Sequence, residues 1–121
     1  MNLSCIDLSH INQIVEIGGE ELLSELITMF KEVTDERLLT AQHQLDEKEY
    51  LELGKTIHAL KSGVGNLGAF EMVQAANQLE LTCKGDSPDK AKEEFDVLKG
   101  HYSKALNALT YIKNNKQSQS S

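Results

Sequence analysis

The segment LGKTIHALKSGVGNLGA, residues 53–69, carries the strongest structural signal in this chain. Its large apolar residues lie 4, 3, 4 and 3 positions apart, which is the period of one buried helix face. These residues are Leu53, Ile57, Leu60, Val64 and Leu67. The segment lacks the strict alternation of apolar and polar residues that is typical of a half-buried strand. We therefore expect a helix from about residue 48 to residue 67.

Three glycines, Gly54, Gly63 and Gly65, interrupt this expected helix. Each interior glycine costs about 0.5–1 kcal/mol of helix stability relative to alanine, so a purely structural helix gains nothing from them. Either a neighbouring helix approaches closely at these positions, or the small residues leave space for another molecule to dock. The sequence by itself leaves both explanations open.

On either side of this helix, apolar residues at helical spacing predict further helices over about residues 7–17, 20–45, 69–84 and 88–114. These helices begin or end at residues that commonly cap, break or stop a helix. Those residues are Asp7, Gly18-Gly19, Gly85 in a left-handed conformation, and Ser87-Pro88. Phe30, Met29 and Met72 are among the core candidates. Long helices with short connections pack as antiparallel bundles. We predict an all-α fold, an antiparallel up-and-down four-helix bundle with a short extra N-terminal helix.

One compact domain accounts for the whole chain, because 121 residues are too few for two ordinary domains. We assign residues 1–113 to the helical bundle. Residues 114–121 read NNKQSQSS and contain no apolar side chain to bury, so we expect a disordered polar tail there.

Composition excludes several classes of protein. With 19 acidic and 12 basic residues the net charge is −7, which argues against a nucleic-acid partner. The longest apolar run is two residues, which argues against a membrane span or a secretory signal peptide. Cys5 and Cys83 lie far apart without a CxxC pair, so we expect reduced thiols and a cytoplasmic location. Inward-pointing Glu-x-x-His pairs, which di-metal bundles use, do not occur, so we expect no metal.

One face of the expected helix gathers a histidine, a lysine and small residues. Relative to His58, Gly54, Lys61, Ser62 and Gly65 stand at positions −4, +3, +4 and +7, so all five share this face. An imidazole without large neighbours can be reached by a partner's active site. A lysine one turn away favours negative charge on a group bound to that imidazole. This arrangement suits a phosphoryl group carried on His58.

These residues resemble the signature of histidine-containing phosphotransfer (HPt) domains. The family shows an acceptor histidine, leucine two positions later, lysine three later, and Leu-Gly-Ala nine to eleven later. The matching residues here are His58, Leu60, Lys61, Leu67, Gly68 and Ala69. Ser62-Gly63 stands where the family usually has Gly followed by Ser, and Val64 stands where a small polar residue is common.

The resemblance implies a four-helix bundle that carries a phosphoryl group without any kinase activity of its own. His58 would accept the group from an aspartyl phosphate of a receiver domain, and Lys61 would supply electrostatic support. Gly54, Ser62, Gly65 and Gly68 would form the small shoulder on which the partner docks. The partners would be the receiver domains of a hybrid sensor kinase and of a response regulator. The family's Mg²⁺ belongs to the receiver, so this chain would need no cofactor, and the family precedent is a monomer.

A second interpretation belongs to another class of function. The chain could be a helical adaptor that binds a signalling partner without chemistry. Retention of both His58 and Lys61 favours the carrier, because an inactive relative would usually have lost one of them. The sequence leaves open which imidazole nitrogen is phosphorylated.

Overall fold

The computed structural model describes the backbone of residues 5–65, 67–85 and 88–120, and the side chains of the same ranges up to residue 115. The helices are α1 (Leu8–Asp46), α2 (Tyr50–Gly65), α3 (Phe70–Lys84) and α4 (Ala91–Ser120), with a short 3₁₀ turn at Pro88–Lys90. Within these ranges there is no β-strand. Each helix packs against the next one along the chain, and α4 returns to pack against α1. The predicted all-α bundle is confirmed.

The short N-terminal helix predicted before Gly18-Gly19 is the first part of α1. Gly19 has φ 75° and ψ −173°, so the helix breaks there even though its two parts follow each other directly. The side chain of Asp7 caps the first part, because Oδ1 accepts hydrogen bonds from the backbone N–H groups of Ser9 (3.1 Å) and His10 (3.4 Å). The predicted cap and the predicted break are both confirmed.

The apolar residues that predicted α2 form the centre of the core. Leu53, Ile57, Leu60, Val64 and Leu67 are all buried. Phe30 of α1 is also buried and contacts Tyr102 of α4 edge to face, with ring centroids 5.5 Å apart. The prediction of Met29 as a core residue is wrong, since 57% of it is exposed. Successive helical residues lie about 100° apart around the axis, so burial of Phe30 turns Met29 outward.

Some helix ends differ from the predicted ones. α2 begins at Tyr50 because Lys48 has a positive φ of 58° and belongs to the turn between α1 and α2. α2 ends at Gly65, and Leu67 is buried from the turn that follows. Gly85 ends α3 with φ −83° and ψ 174°, so the predicted left-handed stop is wrong. The backbone there is extended, and the Gly85 N–H donates to the carbonyl of Thr82 instead.

The last helix begins and ends later than predicted. Pro88 lies in the 3₁₀ turn, and α4 begins at Ala91. The predicted cap residue Ser87 lies outside the described residues. α4 continues to Ser120, past the expected end at about residue 114. The division into a bundle over residues 1–113 and a polar tail over residues 114–121 stays a prediction.

Candidate functional site

His58 lies in the middle of α2, where 72% of its side chain is exposed to solvent. Its neighbour Ile57 is fully buried, which fixes the rotation of α2 and presents His58 outward, beside α3. The ring is anchored at one side, because Nδ1 lies 2.9 Å from Oε1 and 3.0 Å from Oε2 of Glu80 on α3. The site therefore combines an accessible imidazole with a fixed ring position.

Glu80 is a buried acid, with 6% of its side chain exposed. Lys61 and Lys84 also contact it, with Nζ 3.0 Å from Oε1 and 3.9 Å from Oε2 respectively. The hydrogen bond with His58 is the main cause that lowers the pKa of Glu80, the bond with Lys61 adds to it, and burial opposes both. Glu80 is therefore held as a carboxylate.

The charge state of Glu80 determines which tautomer of His58 is present. A carboxylate only accepts hydrogen bonds, so Nδ1 of His58 must carry a proton and donate it. In the neutral ring the lone pair then lies on Nε2. Among the described residues, the hydrogen bonds of His58 are made by Nδ1 alone. Nε2 is thus the nitrogen that is available as a nucleophile.

Lys61 is held in the site by two contacts with α3. Besides Glu80, its Nζ donates to Oδ1 of Asn77 at 2.7 Å, and only 22% of its side chain is exposed. These contacts keep the ammonium group one helical turn from His58 and in direct contact with the carboxylate that orients the ring. The structure brings the two predicted residues together through Glu80, and an electrostatic role for Lys61 stays a prediction.

The four small residues predicted to form a docking shoulder have different surroundings. A Cβ on Gly54 would lie 3.3 Å from Cβ of Cys83, so this glycine lets α2 and α3 approach closely. A Cβ on Gly65 would meet nothing within 4 Å. Ser62 is exposed, and its Oγ donates to the carbonyl of Ala59 at 3.0 Å.

Gly68 occupies the turn between α2 and α3 and has a positive φ of 72°. A Cβ there would lie 3.1 Å from Cβ and 3.2 Å from the carbonyl oxygen of Asp7. The carbonyl of Gly68 also accepts a hydrogen bond from the N–H of Asp7 at 2.9 Å. Gly68 therefore seats the N-terminal segment on the bundle. A docking role stays a prediction for Gly68, as for Gly54, Ser62 and Gly65.

An apolar groove lies between α1 and α2, next to the face that carries His58. The floor includes Phe30 and Leu60, and Ser62 and Gly63 form one edge. On the α1 side, Met29 is 57% exposed although it is a large apolar residue. A Cβ on Gly63 would meet nothing within 4 Å, so the α2 side of the groove has free space at this glycine. This α1–α2 groove could receive an apolar surface of a partner.

The sequence interpretation missed Glu80 and Asn77 as site residues. A signal for Glu80 was present, because Ala76, Glu80 and Cys83 follow helical spacing on the buried side of α3. A charged residue on a buried face needs a charged or hydrogen-bonded partner. That partner, His58, is 22 positions away in sequence, so only the packing of α2 against α3 reveals it.

In the part of the chain that the structure describes, no three His, Cys, Asp or Glu side chains gather into a possible metal site. No helix within that same part is both long enough and apolar enough to cross a membrane.

Comparison with known proteins gives one match. The family model described as Hpt domain matches residues 25–109, which is more than half of the chain and includes His58, Lys61 and Glu80. No curated protein and no solved structure matches this chain.

Proposed function

This chain belongs to the Hpt domain family, and from that premise we propose that it is a histidine phosphotransfer protein of a two-component phosphorelay. His58 accepts a phosphoryl group from the aspartyl phosphate of one receiver domain and passes it to the aspartate of another. The observation that carries the proposal is the His58–Glu80 pair. It combines an exposed ring with a fixed tautomer, within the range of residues that the family model matches.

The transfer step follows from that geometry. Nε2 of His58 attacks phosphorus, an N–P bond forms, and the P–O bond to the aspartate breaks, so the aspartate leaves as a carboxylate. The ring keeps its proton on Nδ1 and becomes a cation, which the carboxylate of Glu80 stabilises across the 2.9 Å hydrogen bond. Transfer to the second receiver reverses these bond changes. Such reactions depend mainly on positioning and on charge neutralisation.

Lys61 offsets the negative charge of Glu80, which would otherwise hinder phosphotransfer. A lone carboxylate beside the acceptor would repel the incoming phosphoryl oxygens. Lys61 lies 3.0 Å from Oε1 of Glu80 and balances that charge. Mg²⁺ is expected in the receiver, where it would neutralise the phosphoryl oxygens during transfer. In this proposal the chain is a phosphoryl carrier that has no kinase activity of its own.

The partner is proposed to dock over the α1–α2 groove and the small residues beside it. Met29 offers an exposed apolar contact, and Ser62, Gly63 and Gly65 present little bulk on the adjoining helix. Large apolar groups in such patches commonly mark protein interaction sites. We further propose that the chain acts as a monomer in the cytoplasm. The cytoplasmic location is supported by the two cysteines, Cys5 and Cys83, which are both free thiols.

The test is phosphotransfer from phosphorylated receiver domains to the purified protein. We expect an acid-labile, alkali-stable label on the wild type and none on His58→Gln. His43→Gln removes another exposed histidine, on α1, and should be labelled like the wild type. Absence of label with a panel of competent donors, together with retained partner binding, would support the helical adaptor instead. Label on His58→Gln would contradict the assigned acceptor.

A further inference from the structure

A second cavity lies on the other side of His58, between the first half of α2 and the second half of α3. Its volume is about 340 Å³, which is within the range of small-molecule pockets. Leu51, Gly54, Lys55 and His58 line it from α2, and Cys83 and Lys84 line it from α3. It shares His58 with the phosphotransfer site but lies apart from the α1–α2 groove, which has none of these lining residues.

The interior of this α2–α3 pocket is apolar. Gly54 adds no side chain, and the backbone there comes close to Cys83. Burial raises the pKa of Cys83 to about 11, and the nearby acids Glu94 and Glu80 add to this, so the thiol is neutral. Leu51 forms part of the apolar wall and remains 68% exposed, so its side chain is accessible to a ligand in the pocket.

Two lysines of the pocket lining, Lys55 and Lys84, carry its cationic groups. The side chains of Lys55 and Lys84 are each 67% exposed. Lys55 lies 3.5 Å from Glu52, and Lys84 lies 3.9 Å from Glu80, which are long distances for ion pairs. Glu80, the acid in the lining, already contacts His58 and Lys61 at shorter distances. Both lysines are therefore available to an incoming anion.

We propose that this pocket binds a small amphipathic carboxylate, such as a medium-chain or aryl-substituted acid. The apolar part would cover Gly54 and Cys83 against Leu51, and the carboxylate would lie between Lys55 and Lys84. The apolar walls favour the burial of a hydrocarbon, and the two lysines favour one negative charge at its end. Neither feature alone would select this class of ligand.

Occupancy of the pocket would regulate phosphotransfer, a consequence that rests on the proposed function. His58 is part of the lining, so a bound acid would occupy space beside the imidazole. This occupancy would hinder the approach of a receiver that brings its own phosphoryl group. The ligand would therefore slow labelling of His58 without changing the fold.

The binding test is a titration of the full chain with octanoate, followed by NMR. We expect saturable shifts of the His58 ring and of amides in residues 50–55 and 80–84. 1-Octanol has the same chain without the charge, and butyrate has the charge with a shorter chain, so both should bind at least about fivefold more weakly. Equal binding of octanol would overturn the assigned chemistry, as would an absence of saturable shifts.

Variants then locate the site. Leu51→Glu should weaken octanoate binding about tenfold or more, because it places a carboxylate in the apolar wall, and Lys84→Gln should weaken it about threefold. Leu39→Glu is the matched control, since Leu39 is an exposed leucine of α1 outside the pocket, and its binding should be unchanged. Equal binding by Leu51→Glu and wild type would overturn the proposal. Octanoate binding without any labelling of His58 would contradict the phosphotransfer function alone, whereas labelling without octanoate binding would contradict this inference alone.

Discussion

Nδ1 of His58, whose side chain is 72% exposed, lies 2.9 Å from Oε1 of Glu80, whose side chain is only 6% exposed. This pair links α2 to α3 at the point where the chemistry is proposed. It fixes the ring, selects the tautomer and places a negative charge next to it.

Replacement of Glu80 should slow phosphotransfer without removing the acceptor. Glu80→Leu deletes both the charge and the hydrogen bond, and we expect about a tenfold slower transfer, since a hydrogen bond to a charged group contributes about 1.5–3 kcal/mol. Glu80→Gln keeps an oxygen that can accept from Nδ1–H of His58, so its transfer rate should fall less than that of Glu80→Leu. ¹⁵N shifts of His58 should show a mixed tautomer in Glu80→Leu, which a purely structural role of Glu80 would not produce. An unchanged tautomer and an unchanged rate would contradict the assignment.

Removal of Lys61 should leave the charge of Glu80 less well balanced. We expect Lys61→Ala to slow transfer or shorten the lifetime of phosphohistidine, and to lower the free energy of unfolding by about 1–2 kcal/mol. Lys92→Ala, an exposed lysine on α4, is the control and should change neither quantity measurably. Transfer and lifetime equal to those of the wild type would remove the electrostatic role.

The α1–α2 groove should be needed for binding a receiver. Met29→Glu places a charge on an exposed apolar contact, so we expect at least about a tenfold loss of receiver affinity in a calorimetric titration. Leu39→Glu changes another exposed apolar residue of the same helix outside the groove, and its affinity should stay the same. Equal losses in the two variants would show that the groove is not specific for the partner.

The stability of the protein should depend on pH through Glu80. The pKa of Glu80 is lowered on folding from its ordinary value of 4.5, so the folded state favours the carboxylate. The contribution of ionised Glu80 to the free energy of unfolding is therefore present above about pH 4.5. It is lost as pH falls through the lower pKa of Glu80 in the folded state. Urea unfolding of wild type and Glu80→Gln should differ most above about pH 4.5 and converge as pH falls below the lowered pKa of Glu80 in the folded state. Asp7 and Asp35 also have lowered pKa values but are common to both proteins. A difference that does not vary with pH would contradict this prediction.

Two glycines of the same region should respond to alanine in opposite directions. Gly68→Ala should destabilise the fold by about 1–2 kcal/mol, because φ is 72° and the new Cβ would crowd Asp7. Gly63→Ala should stabilise it by up to about 1 kcal/mol, because Gly63 is helical and a Cβ there meets nothing within 4 Å. Urea denaturation of both variants measures this. A stabilising effect of Gly68→Ala would contradict the strain expected at Gly68, and a destabilising effect of Gly63→Ala would contradict the open space expected at Gly63.

Most of the fold could be predicted from local patterns. The spacing of Leu53, Ile57 and Leu60 identified α2 and its buried face, and Asp7 and Gly19 marked a cap and a break that the structure contains. The ends that were misplaced depended on backbone angles that residue type does not fix. Lys48, for example, takes a left-handed conformation that lysine rarely adopts, because the connection between α1 and α2 is so short.

The sequence by itself determined the helices, the family and the shared face of His58 and Lys61, because all of these depend on residues within a few turns of one helix. The tertiary structure alone decided that Glu80 meets His58 across 22 positions of sequence. It also decided that α2 approaches α3 closely at Gly54, and that a pocket opens beside His58. The physical reason is that periodicity gives the direction in which a side chain points from its own helix. What it meets there depends on the rotation and register of the neighbouring helix, which are set by the packing of the whole core.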